Sequence, residues 1–85
     1  MAYRVRLDPR VQLQLRDAPP QLQGFVAGII AFLRTDPTSA SAAFPVIAHD
    51  DFRTIIFANG RGCLDYEVFE DRQLVVIDEL TWLGD

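Results

Sequence analysis

Two carboxylates alternate with apolar residues in the second half of the chain, in the segment Leu64-Asp-Tyr-Glu-Val68. Alternation with a period of two is typical of a β-strand, whose successive side chains point to opposite faces of a sheet. Asp65 and Glu67 should therefore share one face, where a pair of carboxylates can act as general acid and base. The same pattern describes an acidic face turned to water. The sequence favours this second interpretation, because no cleft signal accompanies the pair.

Arg53 and Arg61 are the basic residues of the strand-rich half, together with Arg72 in a predicted turn. They are the candidate catalytic residues, because a guanidinium can contact a phosphate or the carboxylate of a partner. The competing interpretation is that both are solvated, or that they pair locally with Asp65 or Glu67. We favour the competing interpretation, since surface ion pairs contribute little to stability and seldom mark a site.

Cys63 and the run His49-Asp-Asp51 also carry reactive or ligand-type side chains. A single cysteine excludes an intrachain disulfide and a cysteine-based metal cluster. A lone strand cysteine is more often inert and half-buried than reactive. Three adjacent residues rarely converge on one ion, and the chain has no second histidine. The sequence therefore predicts neither a metal site nor a cofactor.

Trp82 stands near the end of the chain, between Leu80 and Leu83. Large aromatic side chains are enriched at protein interfaces, which makes Trp82 a candidate partner-binding residue. A tryptophan in this position can equally cover the edge of the core. The sequence leaves the two interpretations open.

The N-terminal half is predicted to hold one strand and two helices. Residues 3–7 alternate as a strand with one buried face. Asp8 and Pro9 then form a helix-start signal, with a capping aspartate and a proline in the first turn, and a short helix follows over residues 11–15. The second helix has a continuous apolar stripe and ends before Pro37. The stripe comprises Leu22, Phe25, Val26, Ile29, Ile30 and Leu33.

The C-terminal half is predicted to be an antiparallel meander. Strands are expected over residues 52–58, 62–69 and 73–80, with tight turns between them, the first at Asn59-Gly60. A small-residue loop over residues 38–43 and a short edge segment over residues 44–47 precede the meander.

The strand over residues 62–69 predicts how the sheet is oriented. Leu64, Tyr66 and Val68 should face the two helices, which leaves Cys63, Asp65 and Glu67 on an open face available to a ligand or partner. The predicted fold class is α+β, in the order β-α-α-β-β-β, with the antiparallel meander packed on two N-terminal helices. We expect a single domain over residues 1–85.

Charge and hydropathy limit the function classes. Residues 1–49 hold five Arg against three Asp, a net of +2, whereas residues 50–85 hold three Arg against nine acids, a net of −6. Proteins that bind nucleic acids usually present a basic patch, so direct nucleic-acid binding is not expected. The longest apolar run, residues 25–33, is short of the ~20 residues that span a bilayer, and the N-terminus has no signal-peptide pattern. We expect a cytoplasmic protein without a membrane association.

Several segments of the chain form a series with a characteristic order and spacing. The N-terminal half contains the opening Tyr3-Arg-Val-Arg-Leu-Asp-Pro-Arg10, the Pro19-Pro20 break and the helix end Leu33-Arg-Thr-Asp-Pro37. The C-terminal half contains Leu64-Asp-Tyr-Glu-Val68, a charged turn and Leu74-Val-Val-Ile77. Together these segments resemble the RelE/ParE toxin superfamily over nearly the whole chain, and the C-terminal group resembles its central hairpin. The resemblance implies a RelE-like fold and the toxin of a type II toxin–antitoxin pair, neutralised by a cognate antitoxin.

The resemblance also implies which residues a ribonuclease of this superfamily carries. One branch cleaves messenger RNA on the ribosome, and another poisons DNA gyrase. The ribonucleases typically have an arginine three residues before the tyrosine of the central strand. Here the tyrosine is Tyr66 and the arginine's place is taken by Cys63. They also have Arg or His, and often a terminal Tyr, after the last strand, where residues 78–85 of this chain begin with Asp78 and Glu79. Cleavage of RNA needs cations for the developing phosphorane charge, so we expect a diverged member without the usual ribonuclease residues.

Three functions follow as hypotheses. The first, which we favour, is a toxin subunit without ribonuclease activity, whose antitoxin lies along the two-helix surface or an exposed sheet edge. The second is a diverged ribosome-dependent mRNA endoribonuclease that uses Arg53, Arg61 and a carboxylate. The third is a homodimeric interaction module that reuses the same scaffold and poisons nothing.

Overall fold

The computed structural model contains two α-helices and five strands. It describes residues 2–84, except for the side chain of Ala42. Met1 and Asp85, which belong to the predicted domain, lie outside the described residues. In chain order the elements are β1 Arg4–Leu7, α1 Pro9–Arg16, α2 Pro20–Thr35, β2 Val46–Ala48, β3 Arg53–Phe57, β4 Gly62–Phe69 and β5 Leu74–Trp82. Short 3₁₀ turns lie at Pro37–Ala42, Ala58–Gly60 and Glu70–Arg72.

Helix α1 begins where the sequence predicted. The Asp8 carboxylate accepts the Arg10 backbone N–H at 2.9 Å, and Pro9 occupies the first turn, where its missing N–H has no cost. The predicted stripe on α2 is buried at Leu22, Val26, Ile29 and Leu33. Its other two members, Phe25 and Ile30, pack partly buried against the same core.

The connection after α2 is more ordered than the predicted loop. Residues 38–43 were expected to be irregular, but Pro37–Ala42 form a 3₁₀ turn. Asp36 stabilises this turn, since its backbone carbonyl accepts the Ser39 N–H at 3.3 Å and its carboxylate accepts the Thr38 hydroxyl at 3.1 Å. Ala40 is 2% exposed and belongs to the core, which fixes the turn against the sheet.

The strands form one mixed sheet in the order β1-β5-β4-β3-β2. Strand β1 pairs parallel with β5, and the remaining pairs are antiparallel. This confirms the α+β fold with a meander packed on two helices. The predicted edge segment becomes β2, which extends the meander to the far edge of the sheet.

One face of the sheet packs on the helices, and the other has no helix over it within residues 2–84. The helix-facing side carries Ile55, Leu64, Tyr66, Val75 and Ile77, each 0% exposed. The alternating residues of β4, Cys63, Asp65 and Glu67, are partly exposed on the other side. We call this other side the open face.

Candidate functional site

The open face holds a row of polar side chains that crosses the sheet. Thr54 of β3 pairs with Asp65 of β4, and Asp65 pairs with Glu79 of β5, so the three residues lie side by side. The Thr54 hydroxyl donates to the Asp65 carboxylate at 2.6 Å. His49, at the end of β2, extends the row through its Nε2, which is 3.2 Å from the Thr54 hydroxyl oxygen.

A bulge in β5 adds Asp78 to this row. The pairing of β4 with β5 shifts between Asp65↔Glu79 and Tyr66↔Ile77, which leaves Asp78 as an extra residue without a partner on β4. Ile77 and Leu80 are both buried against the helices. The two acids between them, Asp78 and Glu79, therefore lie on the open face together, where regular alternation would have separated them.

Asp78 is the residue whose protonation the site perturbs most clearly. Partial burial, a hydrogen bond with Glu67, and repulsion from Glu67, Asp8 and Asp65 together raise the pKa of Asp78 to about 6. Each cause disfavours the ionised carboxylate, since burial removes water and the neighbours are also negative. Near neutral pH, the Asp78 carboxyl can therefore exchange a proton with a bound group.

The electrostatics of the open face suit a cationic group and oppose a phosphate. Its central strands β3, β4 and β5 present Asp65, Glu67, Asp78 and Glu79 and, within the described residues, no Lys, Arg or His. The nearest cations on this side are Arg4 and Arg6 on the edge strand β1, paired with Leu74 and Val76. No group of three or more His, Cys, Asp or Glu in residues 2–84 is arranged to hold a metal ion.

The two candidate catalytic arginines are not brought together. Arg53 begins β3 and lies on the helix-facing side, opposite Tyr66. Arg61 lies beyond the other end of β3, where its guanidinium carbon is 5.5 Å from the centre of the Trp82 ring and its Nε donates to the Ala58 carbonyl at 3.1 Å. At ~3.3 Å per strand residue, the length of β3 alone separates them by roughly 13 Å. They do not converge on one phosphate within this chain.

Trp82 lies on the helix-facing side, at the edge of the core. It is paired with Gly62 and stacks on Phe57, with ring centroids 6.2 Å apart and planes at 11°. Phe25 of α2 adds a third ring at 6.3 Å from Trp82. A Cβ at position 62 would lie 2.3 Å from the Phe57 ring, so this close packing requires glycine there. Of the two interpretations of Trp82, the core-edge one describes its packing within the chain.

Cys63 lies on the open face, half-buried between its cross-strand neighbours Ile56 and Thr81. It therefore shares that face with Asp65 and Glu67, as the sequence predicted. The sequence reasoning did not single out Thr54, His49 and Asp78 as members of one row. The signal for Asp78 was present, because the spacing from Ile77 to Leu80 breaks the alternation of β5 and marks a bulge.

No protein-family model and no curated protein matches this chain. Several solved structures match its fold. A chain of the archaeal RelE–RelB complex from Pyrococcus horikoshii OT3 superposes with a TM-score of 0.76 at 22% identity, covering 99% of this chain and 98% of that chain. A mutant of E. coli toxin RelE in the free state gives 0.74 at 17% identity over 96% of this chain and 84% of that chain.

A chain of the RelBE2 toxin–antitoxin complex from Mycobacterium tuberculosis gives a TM-score of 0.72 at 18% identity, covering 96% of this chain and 99% of that chain. The archaeal and mycobacterial matches run nearly from end to end in both chains, and the E. coli match covers most of that chain, so the protein has a RelE-like fold. No helix in residues 2–84 combines the length and the apolar character needed to cross a bilayer.

Proposed function

We propose that this chain is the toxin component of a type II toxin–antitoxin module, that an antitoxin binds and neutralises it in the cytoplasm, and that it does not cleave RNA. The observation that carries the proposal is the end-to-end match to RelE chains, several of them solved in complexes with RelB. The second part of the proposal is supported by the carboxylates on the open face.

The charges on the open face oppose RNA cleavage. Attack by a 2′-hydroxyl builds negative charge at the phosphorus, which a ribonuclease stabilises with nearby cations. On the open face that phosphate would meet Asp65, Glu67 and Asp78 at close range. Their repulsion opposes both binding of the backbone and formation of the transition state. Asp78 supplies a group for proton transfer, but proton transfer alone leaves the negative charge that develops at the phosphorus uncompensated.

The antitoxin is expected to bind the two-helix surface. A shallow hollow of about 330 Å³ runs between α1 and α2, and its exposed lining is mostly apolar. It is lined by Leu15, Arg16, Gln23, Val26, Ala27 and Ile30. An amphipathic helix fits a groove of this kind by inserting side chains at helical spacing. The hollow is lined mainly by apolar side chains and includes one charged residue, Arg16, whereas the chain as a whole has a net charge of −4. The partner should therefore be mainly apolar where it enters the hollow, and basic where it reaches the acidic remainder of the chain.

The test is induction of this chain alone in a bacterial host, followed by co-expression with the reading frame beside its gene. We expect growth arrest on induction, rescue by the neighbouring product, and co-purification of the two proteins. Ribosome-bound transcripts should stay intact in the arrested cells. Growth unaffected by induction would contradict the toxin proposal and favour the homodimeric module, whereas transcript cleavage by the purified chain would contradict the absence of ribonuclease activity.

A matched pair of variants tests the binding surface. Ala27 and Ala31 are both exposed on α2, one turn apart, and Ala27 lines the hollow. Ala27→Glu should arrest growth even with the partner present, because the larger charged side chain occupies the mainly apolar hollow and must be desolvated beneath the partner. Ala31→Glu should still be rescued. Equal rescue of both variants would place the antitoxin elsewhere.

A further inference from the structure

Two hollows meet at Arg53 and Tyr66, which lie on the helix-facing side of the sheet, and His49 at the end of the open-face row also lines one of them. The larger is a cleft of about 560 Å³ between the connection of β2 to β3 and the turn Glu70–Arg72. The smaller, of about 180 Å³, lies under the turn Pro37–Ala42 and β2. Arg53 and Tyr66 line both hollows, so they form the wall between them. The volume of the larger cleft is within the range of ligand-binding pockets, about 300–1,000 Å³.

The Tyr66 hydroxyl is a buried polar group without a partner. The residue is 0% exposed, and its hydroxyl oxygen makes no hydrogen bond to any of residues 2–84. Burial raises the pKa of Tyr66, and the adjacent Arg53 guanidinium, through its positive charge and its N–H groups facing the hydroxyl, opposes that effect without cancelling it. The hydroxyl therefore remains protonated at neutral pH and can donate a hydrogen bond. Buried polar groups are normally satisfied, so an unmet hydroxyl beside a cleft indicates a missing acceptor.

The Arg53 guanidinium is half-buried beside this hydroxyl, yet no carboxylate within residues 2–84 forms an ion pair with it. The carboxylates that line the cleft, Asp50, Asp51, Glu70 and Asp71, are all exposed at its rim. A guanidinium and a phenolic hydroxyl side by side can both donate to one carboxylate, which is the strongest acceptor that proteins offer.

The rim determines what must surround that carboxylate. Four acids at the mouth repel a simple anion, but they attract basic groups on either side of an acidic one. Phe52, Val68 and Phe69 add apolar lining for the stems of long side chains. We propose that this cleft binds an aspartate or glutamate side chain of a protein partner, with its carboxylate on Arg53 and the Tyr66 hydroxyl and with basic neighbours against the acidic rim. The identity of that partner as the antitoxin rests on the proposed function, but the chemistry of the cleft does not.

The experiment is a titration of the ¹⁵N-labelled protein, followed by NMR, with two blocked peptides, acetyl-Lys-Glu-Lys-amide and acetyl-Lys-Gln-Lys-amide. We expect the glutamate peptide to shift the resonances of the cleft residues and to bind about tenfold more tightly than the glutamine peptide, because a charge-assisted pair is lost in the latter. Equal affinities would mean that the rim alone attracts the lysines, and no shift in the cleft would mean that it is empty in solution. Either result overturns the proposal.

The Tyr66→Phe variant tests whether the Tyr66 hydroxyl binds a ligand or a buried water molecule. If the hydroxyl is unmet in the free protein, its removal should leave the melting temperature unchanged or higher, and should weaken the glutamate peptide about tenfold. A lower melting temperature with unchanged peptide affinity would assign the hydroxyl to water and overturn the proposal. If Tyr66→Phe fails to fold, the Arg53→Gln variant is titrated instead. It should bind the glutamate and glutamine peptides with equal affinity.

Tyr3→Phe is the matched control, since Tyr3 is half-buried beside α2 and does not line the cleft. It should leave both peptide affinities unchanged. These outcomes are independent of the growth experiment. A chain that arrests growth but ignores both peptides refutes the cleft alone, and a non-toxic chain that prefers the glutamate peptide refutes the toxin proposal alone.

Discussion

Asp78→Asn should stabilise this protein at neutral pH, because it removes a carboxylate that the fold holds among three others. The substitution keeps the size and shape of the side chain. It also keeps the bulge of β5, since the backbone pairing around Asp78 does not use the side chain. What changes is the charge facing Glu67, Asp65 and Asp8.

The magnitude follows from the shift in protonation. Partial burial and the neighbouring acids raise the pKa of Asp78 from 3.8 to about 6. At ~1.36 kcal/mol per pKa unit, this corresponds to an upper bound of roughly 3 kcal/mol of destabilisation by the ionised form. Asp78 is partly exposed, and water and salt screen its neighbours, so we reduce the expected gain to ~1 kcal/mol. For a domain of this size, that is a rise of ~5 °C in the melting temperature.

The sign of the pH dependence follows from the direction of the shift. Between pH 4 and pH 6 the folded protein holds a proton on Asp78 that the unfolded chain releases. Stability from this group is therefore present below the unfolded pKa and is lost as the pH rises through the folded pKa. The gain from Asp78→Asn should be largest above pH 6 and should shrink towards pH 4.

Thermal unfolding of the two proteins, followed by circular dichroism from pH 4.5 to pH 8, measures this difference. Glu79→Gln is the control, because Glu79 is the adjacent acid on the same strand but is exposed. It changes the net charge by the same amount, and its effect should be small at every pH. If Asp78→Asn raises the melting temperature no more than Glu79→Gln at pH 8, or if the rise does not decline with falling pH, the carboxylate cluster does not destabilise the folded protein.

Two further predictions concern the aromatic edge of the core. Gly62→Ala should destabilise the protein by ~2 kcal/mol, because the new methyl group would meet the Phe57 ring at 2.3 Å. Gly28→Ala, in open space on α2, is the control and should raise the free energy of unfolding, measured with denaturant, by about 0.5–1 kcal/mol. Arg61→Gln should cost ~1 kcal/mol and change the fluorescence of Trp82, since it removes the cation over the indole. Unchanged fluorescence would show that Arg61 is solvated.

The local signals of the sequence were sufficient for most of the fold. Asp8 and Pro9 start α1 through a hydrogen bond and a fixed dihedral, both of which are local, and the α2 stripe is a direct consequence of helical spacing. Asn59-Gly60 marks the β3–β4 connection because both residues adopt positive φ, at 57° and 87°. Ala58 also has a positive φ of 55°, so the connection is longer than a two-residue turn.

The pairing of β1 with β5 was not predictable from local pattern. This pairing joins residues about seventy positions apart. Alternation of apolar and polar residues shows that a strand has a buried face, but it does not show which strand lies beside it. The same limit applied to the site. Asp65 and Glu67 were placed on one face by alternation, whereas Asp78 joined them only through the bulge. The face of Arg53 could not be assigned by alternation, because its place opposite Tyr66 depends on the register of two strands.

The two faces of this sheet are under different physical constraints, which explains how the fold and the charges can diverge independently. The helix-facing side is filled by side chains such as Leu64, Tyr66 and Ile77, all 0% exposed, and a change there alters packing throughout the core. The open face has no packed layer over it within residues 2–84, so a substitution at a residue such as Cys63 or Glu67 changes the charge of that face without disturbing the packing of the core. The backbone match to the solved structures therefore reflects the helix-facing side of the sheet, whereas the chemistry of the protein is determined by the open face. For this reason the growth and transcript experiments, which depend on the open face, are the direct test of what the protein does.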